Sequence, residues 1–306
     1  MTLSDNNQEL GRLDTEQVNA ATATIDQMSP LEIVRAMNAE DAKVAAAVEQ
    51  ELPAIAQAIE ALTLRMRQGG RLVYVGAGTS GRLGILDASE CPPTFSIEPD
   101  RVIGVIAGGP IAMNLAAEDA EDSAEAGCAA LTPLEITAID TVVGIAASGR
   151  TPYVLGAIAA AHEKGALTIG VACNAQSPLA AAVDISISPV VGPEAITGST
   201  RLKAGTAQKM VLNMLSTGTM ILQGKTYGNL MVDVNATNYK LEQRAAKIVQ
   251  TVTGQSLEQA QELLRECAGE TKTAIVVALH HISPVDARMH LAAHNYELRP
   301  TLGALQ

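Results

Sequence analysis

Two glycine-rich loops with hydroxyl side chains are the part of this sequence best suited to chemistry. They span residues 76–81 (GAGTSG) and 146–151 (AASGRT). Glycine lets a backbone come close to a ligand, and hydroxyl groups donate hydrogen bonds to anionic oxygens. If each loop opens a helix, the free N–H groups at the helix N-terminus also attract negative charge. We therefore predict a phosphate site formed by Gly78, Thr79, Ser80, Ser148, Gly149, Arg150 and Thr151.

The first loop also matches the G-x-G-x-x-G pattern of dinucleotide-binding folds. Glu98 or Asp100 would be the acidic residue expected about 20 positions later. Prolines at 92–93 and 99, however, interrupt the course from helix to strand that such a unit needs. The chain has no G-x-x-x-x-G-K-[ST] motif, which excludes a P-loop. Two similar loops in one sheet favour a phosphate site; two structural turns are the alternative.

Three glutamates near these loops could move protons. Glu90 follows the first loop by one short helix, Glu121 lies in the acidic run 118–122, and Glu194 precedes the stretch 197–206. Two carboxyl groups with separated pKa values can divide the work of general acid and general base. An exposed loop carboxylate at Glu90 and a solvated helix face at 118–122 are the structural alternatives.

Ser199 and Lys203 open a helical run after Glu194 and are predicted to face the ligand, with N-capping and a surface lysine as the alternative. His290 and His294 have the i, i+4 spacing of a metal pair. They lack a neighbouring carboxylate pair, so we predict no metal and no cofactor. The four cysteines lie far apart, without a CxxC motif, and are predicted to be free thiols that pack as small buried hydrophobes.

The elements that position these residues alternate between strand and helix. Short β-branched runs are predicted strands, and helical stretches such as 113–130 and 154–163 lie between them. Such alternation predicts an α/β fold with a doubly wound, five-stranded parallel sheet whose loops bind ligands at the carboxyl ends of the strands. The predicted strands are Leu72–Val75, Val102–Ile106, Thr141–Ile145, Leu167–Val171 and Asp184–Ile187.

The flanking segments predict N-terminal helices and a small all-helical C-terminal module. Residues 1–28 are expected to form a flexible or loosely docked arm, and Ser29-Pro30 to begin a helix. The predicted domains are 1–55 (arm and helix), 56–238 (ligand-binding domain) and 239–306 (helical, UBA-like module). Ser256 and Ser283 are plausible helix caps in that module.

Composition excludes several classes of partner. The 306 residues carry a net charge of −12 without a basic run, which argues against nucleic acids and anionic membranes. The polar N-terminus does not resemble a signal peptide, and apolar runs stay below the length of a membrane span. We expect a cytoplasmic protein.

The motifs resemble those of a known family. Residues 76–82, 87–94 (DASECPPT), 147–153 and 197–206 are similar to the N-acetylmuramic acid 6-phosphate etherases, which have the sugar isomerase (SIS) fold of phosphosugar-binding domains. The resemblance runs from about Asp26 to about Asn295, nearly the whole chain. Glucokinase regulatory proteins share parts of the pattern but are much longer.

The resemblance implies a carbon–oxygen lyase that removes D-lactate from C3 of N-acetylmuramate 6-phosphate and leaves N-acetylglucosamine 6-phosphate. It implies Glu90 and Glu121 as the catalytic pair, without an order of acid and base, and Glu194 as a reserve base. It further implies a homodimer. A non-catalytic phosphosugar regulator and an aldose–ketose isomerase are the alternatives, with a nicotinamide-dependent dehydrogenase more distant.

Overall fold

A computed structural model describes residues 14–115, 118–233 and 239–305, with the backbone alone at Glu118. The chain divides into two compact units. The first comprises the described residues up to Ser89 together with Asp100–Ser216, and the second Glu90–Pro99 together with the described residues from Thr217 onward. The predicted domain boundaries at 55 and 238 stay a prediction.

The first unit is built on five parallel strands in the order β2-β1-β3-β4-β5. Every residue of β1, β3 and β4 is buried, as expected for a parallel sheet covered on both faces. The predicted strands are confirmed, with shifts of one residue at two ends. The strands are β1 (Leu72–Gly76), β2 (Val102–Ile106), β3 (Thr141–Ile145), β4 (Leu167–Val171) and β5 (Ile185–Ile187).

Helices cover both faces of this sheet. Val73 and Val75 of β1 belong to an apolar cluster with Val154 and Ile158, whereas Tyr74 points to the other face, where Gly84 lies against it. This alternation confirms the doubly wound fold. The helices that begin in this unit are α1 (Pro30–Asp41), α2 (Val44–Glu49), α3 (Leu52–Arg67), α4 (Gly78–Phe95), α5 (Ala124–Leu131), α6 (Pro152–Glu163), α7 (Pro178–Ala182) and α8 (Lys203–Leu222).

The start of α1 follows the prediction. Ser29 is the N-cap and Pro30 the first helical residue, and the Glu32 side chain accepts from the Ser29 N–H at 2.8 Å to complete a capping box. The loosely docked arm is wrong for residues 14–28. Asn19 donates to the Pro193 carbonyl at 3.1 Å, and the Thr22 hydroxyl donates to the Ala195 carbonyl at 2.8 Å. Residues 1–13 of that predicted arm lie outside the described part.

The predicted helix over 113–130 is also wrong for its described residues before 124. Gly109–Met113 and Glu118–Glu121 are short 3-10 turns, and α5 begins only at Ala124. Gly108 and Gly109 have φ of +81° and +66°, which takes the backbone out of the helical region. Ser123 then caps α5 by accepting from the Ala126 N–H at 3.0 Å.

The second unit contains a short antiparallel pair and the predicted helical module. Ser256 and Ser283 cap two of its helices as expected, accepting from Gln259 and Asp286 N–H groups. Its core includes Val249, Ala260, Ile275 and other apolar side chains. The elements are β6 (Thr226–Tyr227), β7 (Leu230–Met231), α9 (Tyr239–Thr253), α10 (Leu257–Glu266), α11 (Thr271–His280), α12 (Pro284–Ala293) and α13 (Leu298–Ala304).

The cysteines are free thiols, as predicted. Cys91, Cys173 and Cys267 are buried, and burial raises the pKa of Cys173 to about 12. The prediction of burial is wrong for Cys128, which is exposed on α5. The buried residues of α5 are Gly127 and Leu131, and Cys128 is not among them.

Candidate functional site

The first glycine loop makes a tight turn between β1 and α4. A Cβ atom on Gly76 would lie 2.6 Å from the Gly81 nitrogen, and one on Gly81 would lie 2.6 Å from Ile106 Cγ1. Both positions therefore need glycine for close packing. Gly78 needs it for a different reason: its φ is +51° and its open side meets nothing within 4 Å. The start of α4 thus presents free backbone N–H groups at an open position.

The second loop joins β3 to α6 in a similar way. Gly149 has a φ of +68°, and a Cβ there would lie 2.3 Å from the Ser177 side chain. The Ser148 hydroxyl accepts from the Arg150 N–H at 3.2 Å, which fixes the turn. Thr151 is the N-cap of α6, followed by Pro152 at its first position. Ser148, Arg150 and Thr151 are each half-buried.

The two loops lie side by side, because their strands are neighbours. β1 pairs with β3, with Gly76 opposite Ile145, so the loops leave the sheet at the same edge. This is the carboxyl edge, where parallel sheets bind ligands.

The start of α8 approaches the first loop. Gly205 is buried, and a Cβ there would lie 3.5 Å from Thr79 Cγ2. The Ser80 hydroxyl donates to Gln208 Oε1 at 2.9 Å. The structure therefore brings Thr79 and Ser80 to the first two turns of α8.

Glu194 is a buried cap of this helix. It is 0% exposed, and its two carboxylate oxygens accept from the backbone N–H groups of Lys203 and Ala204, each at 2.9 Å. A carboxylate at a helix N-terminus satisfies orphan donors and complements the helix dipole. Ser199, which was the candidate cap, is half-buried in the turn before the helix.

Lys203 is buried as well, and it is paired with a distant glutamate. Its ammonium group lies 2.6 Å from Glu40 Oε2, and Lys43 pairs with the other oxygen of Glu40 at 2.6 Å. Burial raises the pKa of Glu40, but hydrogen bonds from Lys203 and Lys43 outweigh it and hold the pKa at about 2. Lys203 is therefore neither a surface lysine nor open to a ligand in this state.

The two candidate catalytic glutamates are both exposed. Glu90 lies in the last two turns of α4, in the second unit. Glu121 ends a 3-10 turn in the first unit, rather than lying on the predicted helix. The neighbouring Glu118 side chain lies outside the described residues.

Asp87 is a buried carboxylate within the 87–94 motif that was not predicted to be a site residue. It accepts from the Tyr74 hydroxyl at 2.8 Å, from Asn213 Nδ2 at 2.7 Å and from the Ser216 hydroxyl at 3.1 Å. Burial raises the pKa of Asp87, against the effect of these hydrogen bonds. The i, i+3 spacing of Asn213 and Ser216 was the feature that could have indicated a shared partner.

The described residues contain no group of three or more His, Cys, Asp or Glu side chains placed to hold a metal ion. Across the same part of the chain, no helix combines the length and apolar character needed to span a membrane.

The sheet and its paired loops have the architecture of a SIS domain. Residues 129–218 match the model of the SIS domain, and residues 54–162 match that of the glucokinase regulatory protein N-terminal SIS domain. Residues 228–274 match the model of the C-terminal lid domain of glucokinase regulatory protein. A phosphoheptose isomerase structure from Francisella tularensis is 16% identical with a TM-score of 0.48, covering 63% of this chain and 100% of that one.

Whole-chain relatives define the family more narrowly. An N-acetylmuramic acid 6-phosphate etherase from Pectobacterium atrosepticum is 53% identical, covering 98% of this chain and 99% of its own. One from Streptomyces avermitilis is 56% identical, covering 97% and 95%. At this identity and coverage, the chain belongs to the N-acetylmuramic acid 6-phosphate etherase family.

Proposed function

We propose that this protein is an etherase that cleaves the D-lactyl ether of N-acetylmuramate 6-phosphate. The observation that carries the proposal is the match of nearly the entire chain, at 53–56% identity, to relatives with that name. The products are N-acetylglucosamine 6-phosphate and D-lactate.

The chemistry requires proton transfers but no hydride or electron carrier. The open-chain sugar has an aldehyde at C1, which acidifies the C2 proton. A base removes that proton, an acid protonates the departing lactate oxygen at C3, and water then adds to the alkene. We assign these transfers to Glu90 and Glu121, whose exposed carboxyl groups are accessible to solvent.

The phosphate of the substrate is assigned to the two loops. Gly78 and Gly149 leave the backbone close to the ligand, and Thr79, Ser80, Ser148 and Thr151 offer hydroxyl groups. Arg150 and Ser199 complete the proposed set. Support comes from the side-by-side placement of the loops at one edge of the sheet.

Glu194 and Lys203 enter the proposal through the helix that they hold in place. Both carboxylate oxygens of Glu194 accept backbone N–H groups at the start of α8, and the ammonium group of Lys203 forms an ion pair with Glu40. Glu194 is 0% exposed and both of its carboxylate oxygens already accept backbone N–H groups, so neither oxygen is open to a substrate proton. This disfavours an aldose–ketose isomerase in which Glu194 removes the C2 proton.

A non-catalytic phosphosugar regulator is the second candidate. The matches to both the N-terminal SIS domain and the lid domain of glucokinase regulatory protein favour it. A regulator needs the phosphate loops, whereas the two exposed glutamates would be dispensable to it.

We place the enzyme in the cytoplasm, in the recovery of amino sugar from cell-wall peptidoglycan, and we propose that it acts as a homodimer. Free thiols and the chemistry of the substrate support the cytoplasmic location and the role in amino-sugar recovery. The resemblance to SIS proteins, which commonly complete their sites with a neighbouring subunit, supports the homodimer.

The test is release of D-lactate from N-acetylmuramate 6-phosphate by the purified protein, by Glu90→Gln and by Glu121→Gln. Since general acid or base catalysis contributes about 10²- to 10⁴-fold, each variant should lose at least about 100-fold in kcat. Glu163→Gln is the matched control. Glu163 is an exposed glutamate at the last position of α6, and because α6 starts at the carboxyl edge of the sheet, Glu163 lies at the end of the helix away from the two loops.

Three outcomes separate the candidates. Lactate from the parent and from Glu163→Gln, but not from the other two variants, supports the etherase. Binding of the sugar phosphate without lactate points to the regulator. Formation of a ketose phosphate, without lactate, points to the isomerase.

A further inference from the structure

The carboxamide of Gln208 is buried beside the first glycine loop and is only half satisfied. The residue is 1% exposed, on the second turn of α8. Its Oε1 accepts the Ser80 hydroxyl at 2.9 Å, but its Nε2 has no hydrogen-bond partner within the described ranges. A buried donor without a partner destabilises the folded state, so this arrangement calls for a reason.

The direction of the Ser80–Gln208 hydrogen bond limits what Ser80 can do. A carbonyl oxygen only accepts, so the single proton of the Ser80 hydroxyl points to Gln208. Ser80 then has only lone pairs left for a ligand. The oxygens of a phosphate dianion also only accept. In this state, Ser80 cannot donate to phosphate.

We infer that Gln208 is a positioning residue that sets the direction of the Ser80 hydroxyl, and that its carboxamide turns over when a phosphate oxygen enters the first loop. This inference rests on the proposed function, because it takes the sugar phosphate as the ligand of that loop. After the turn, Nε2 donates to Ser80 Oγ, and the Ser80 proton is available for the phosphate.

The unpaired groups show why the turn needs the ligand: two are unpaired before it, three after it without phosphate, and two again once phosphate is bound. In the observed orientation, both Nε2 protons are unpaired. Turning the carboxamide pairs one of them with Ser80, but leaves Oε1 and the Ser80 proton without partners. A phosphate oxygen then takes that proton in a charge-assisted hydrogen bond. The terminal torsion of glutamine is broad and roughly two-fold, so the rotation needs no backbone movement.

The test uses binding of N-acetylglucosamine 6-phosphate, measured by calorimetry, so that catalytic turnover is not needed. Gln208→Glu should weaken binding by about 10- to 100-fold, as should Ser80→Ala, since each removes one hydrogen bond to a charged group. Ionised glutamate only accepts and therefore keeps the Ser80 proton. A protonated carboxyl can donate, so the defect of Gln208→Glu relative to wild type should shrink as the pH falls.

The double variant Ser80→Ala/Gln208→Glu separates this role from simple charge repulsion. If Gln208 acts through Ser80, the double variant should bind within about threefold of Ser80→Ala alone, because the two sites are coupled. Gln68→Glu is the matched control for added charge. Gln68 is exposed and follows α3 directly before β1, at the opposite edge of the sheet.

The outcomes are distinct. Equal binding by wild type and Gln208→Glu would overturn the inference. So would a loss from Gln208→Glu in the Ser80→Ala background as large as its loss in the wild type. A fall in thermal stability that accounts for the binding defect, checked by scanning calorimetry, also counts against it. If the wild type itself neither binds the sugar phosphate nor releases lactate, the proposed function has failed instead.

Discussion

Glu40 and Lys203 form a buried ion pair that joins α1 to the start of α8. Glu40 is 3% exposed and Lys203 is 1% exposed. Removing one partner of such a pair leaves an uncompensated charge in the protein interior, whereas replacing both by apolar groups is often tolerated. A change at position 40 or 203 alone should therefore destabilise the protein more than a matching change at both positions.

Glu40→Gln should lower the free energy of unfolding by about 3–5 kcal/mol at neutral pH, because Lys203 stays buried without its counter-charge. The double variant Glu40→Gln/Lys203→Met should recover most of that loss. Urea unfolding of the three proteins measures the difference. A double variant as unstable as Glu40→Gln would contradict this explanation.

The same pair predicts a pH dependence. The Glu40 pKa is lowered from 4.5 to about 2, so the carboxylate stabilises the folded state above pH 4.5 and this contribution is lost as the pH falls toward 2. The contribution amounts to about 3 kcal/mol. Between pH 7 and pH 3, the free energy of unfolding should therefore fall by less in the Glu40→Gln/Lys203→Met variant than in the parent. Equal slopes would rule out this assignment.

At the scale of elements, the two loops depend on glycine for different reasons. Gly149 combines a φ of +68° with a contact that leaves no room for a side chain, whereas Gly78 has a φ of +51° and open space. Substitution at Gly149 therefore meets two obstacles, and substitution at Gly78 only one.

Gly149→Ala should lower the unfolding free energy by several kcal/mol, since the new methyl group would overlap the Ser177 side chain. Gly78→Ala should lower it by only about 1 kcal/mol, from the left-handed backbone alone. Its methyl group would instead occupy the open position over the loop, so its KM for the sugar phosphate should rise. Thermal unfolding and steady-state kinetics of both variants check this; equal stabilities would contradict it.

Asp87 ties α4 to β1 and α8, and this predicts a second pH effect of opposite sign. Burial raises the pKa of Asp87, so the folded state loses stability as the pH rises through the range where that carboxyl ionises. Asp87→Asn cannot ionise and should lack this part of the pH profile. Asp87→Ala should be less stable than Tyr74→Phe, because it removes the acceptor that three hydrogen bonds share, whereas Tyr74→Phe removes one donor. Chemical unfolding between pH 4 and pH 8 tests both points.

The elements that sequence predicted well are those specified by local patterns. β2, β3 and β4 have the predicted bounds, because short apolar runs between turns determine them. The predicted helix was wrong for the described residues within 113–123: their composition suggested a helix, but glycines 108 and 109 take the backbone out of the helical region before them. Ser123 is the N-cap of α5, and a serine at this position could have indicated that the helix begins at Ala124.

In the candidate site, too, the residues in a local sequence pattern were predicted, whereas contacts between distant residues were not. The two loops were recognised because their glycines and hydroxyls are contiguous in sequence. The partners Ser80–Gln208 and Lys203–Glu40 are 128 and 163 residues apart. The contacts of these residues depend on which distant segments the tertiary fold brings together, and composition and local spacing do not reveal that. The sequence therefore predicted that Lys203 faces the ligand, with a surface position as the alternative, and did not indicate a buried ion pair.

At the scale of the whole molecule, the proposed homodimer predicts a mass. One chain has a mass of 31.7 kDa, so light scattering coupled to size exclusion should give about twice that value at micromolar concentration. Dilution should lower the specific activity if a partner subunit completes the site. A mass equal to one chain, with full activity, would contradict the homodimer.

The packing of residues 14–22 onto the loop around 193–195 has a consequence for the order in which the chain becomes ordered during its synthesis. The amide of Asn19 binds a carbonyl 174 residues further along. At typical ribosomal speeds of about 5–20 residues per second, that partner leaves the ribosome roughly 10–35 s after Asn19 does. The first described residues of the protein therefore cannot dock until about two thirds of the chain has been made. During that interval they are exposed to proteases and chaperones that the finished molecule would exclude.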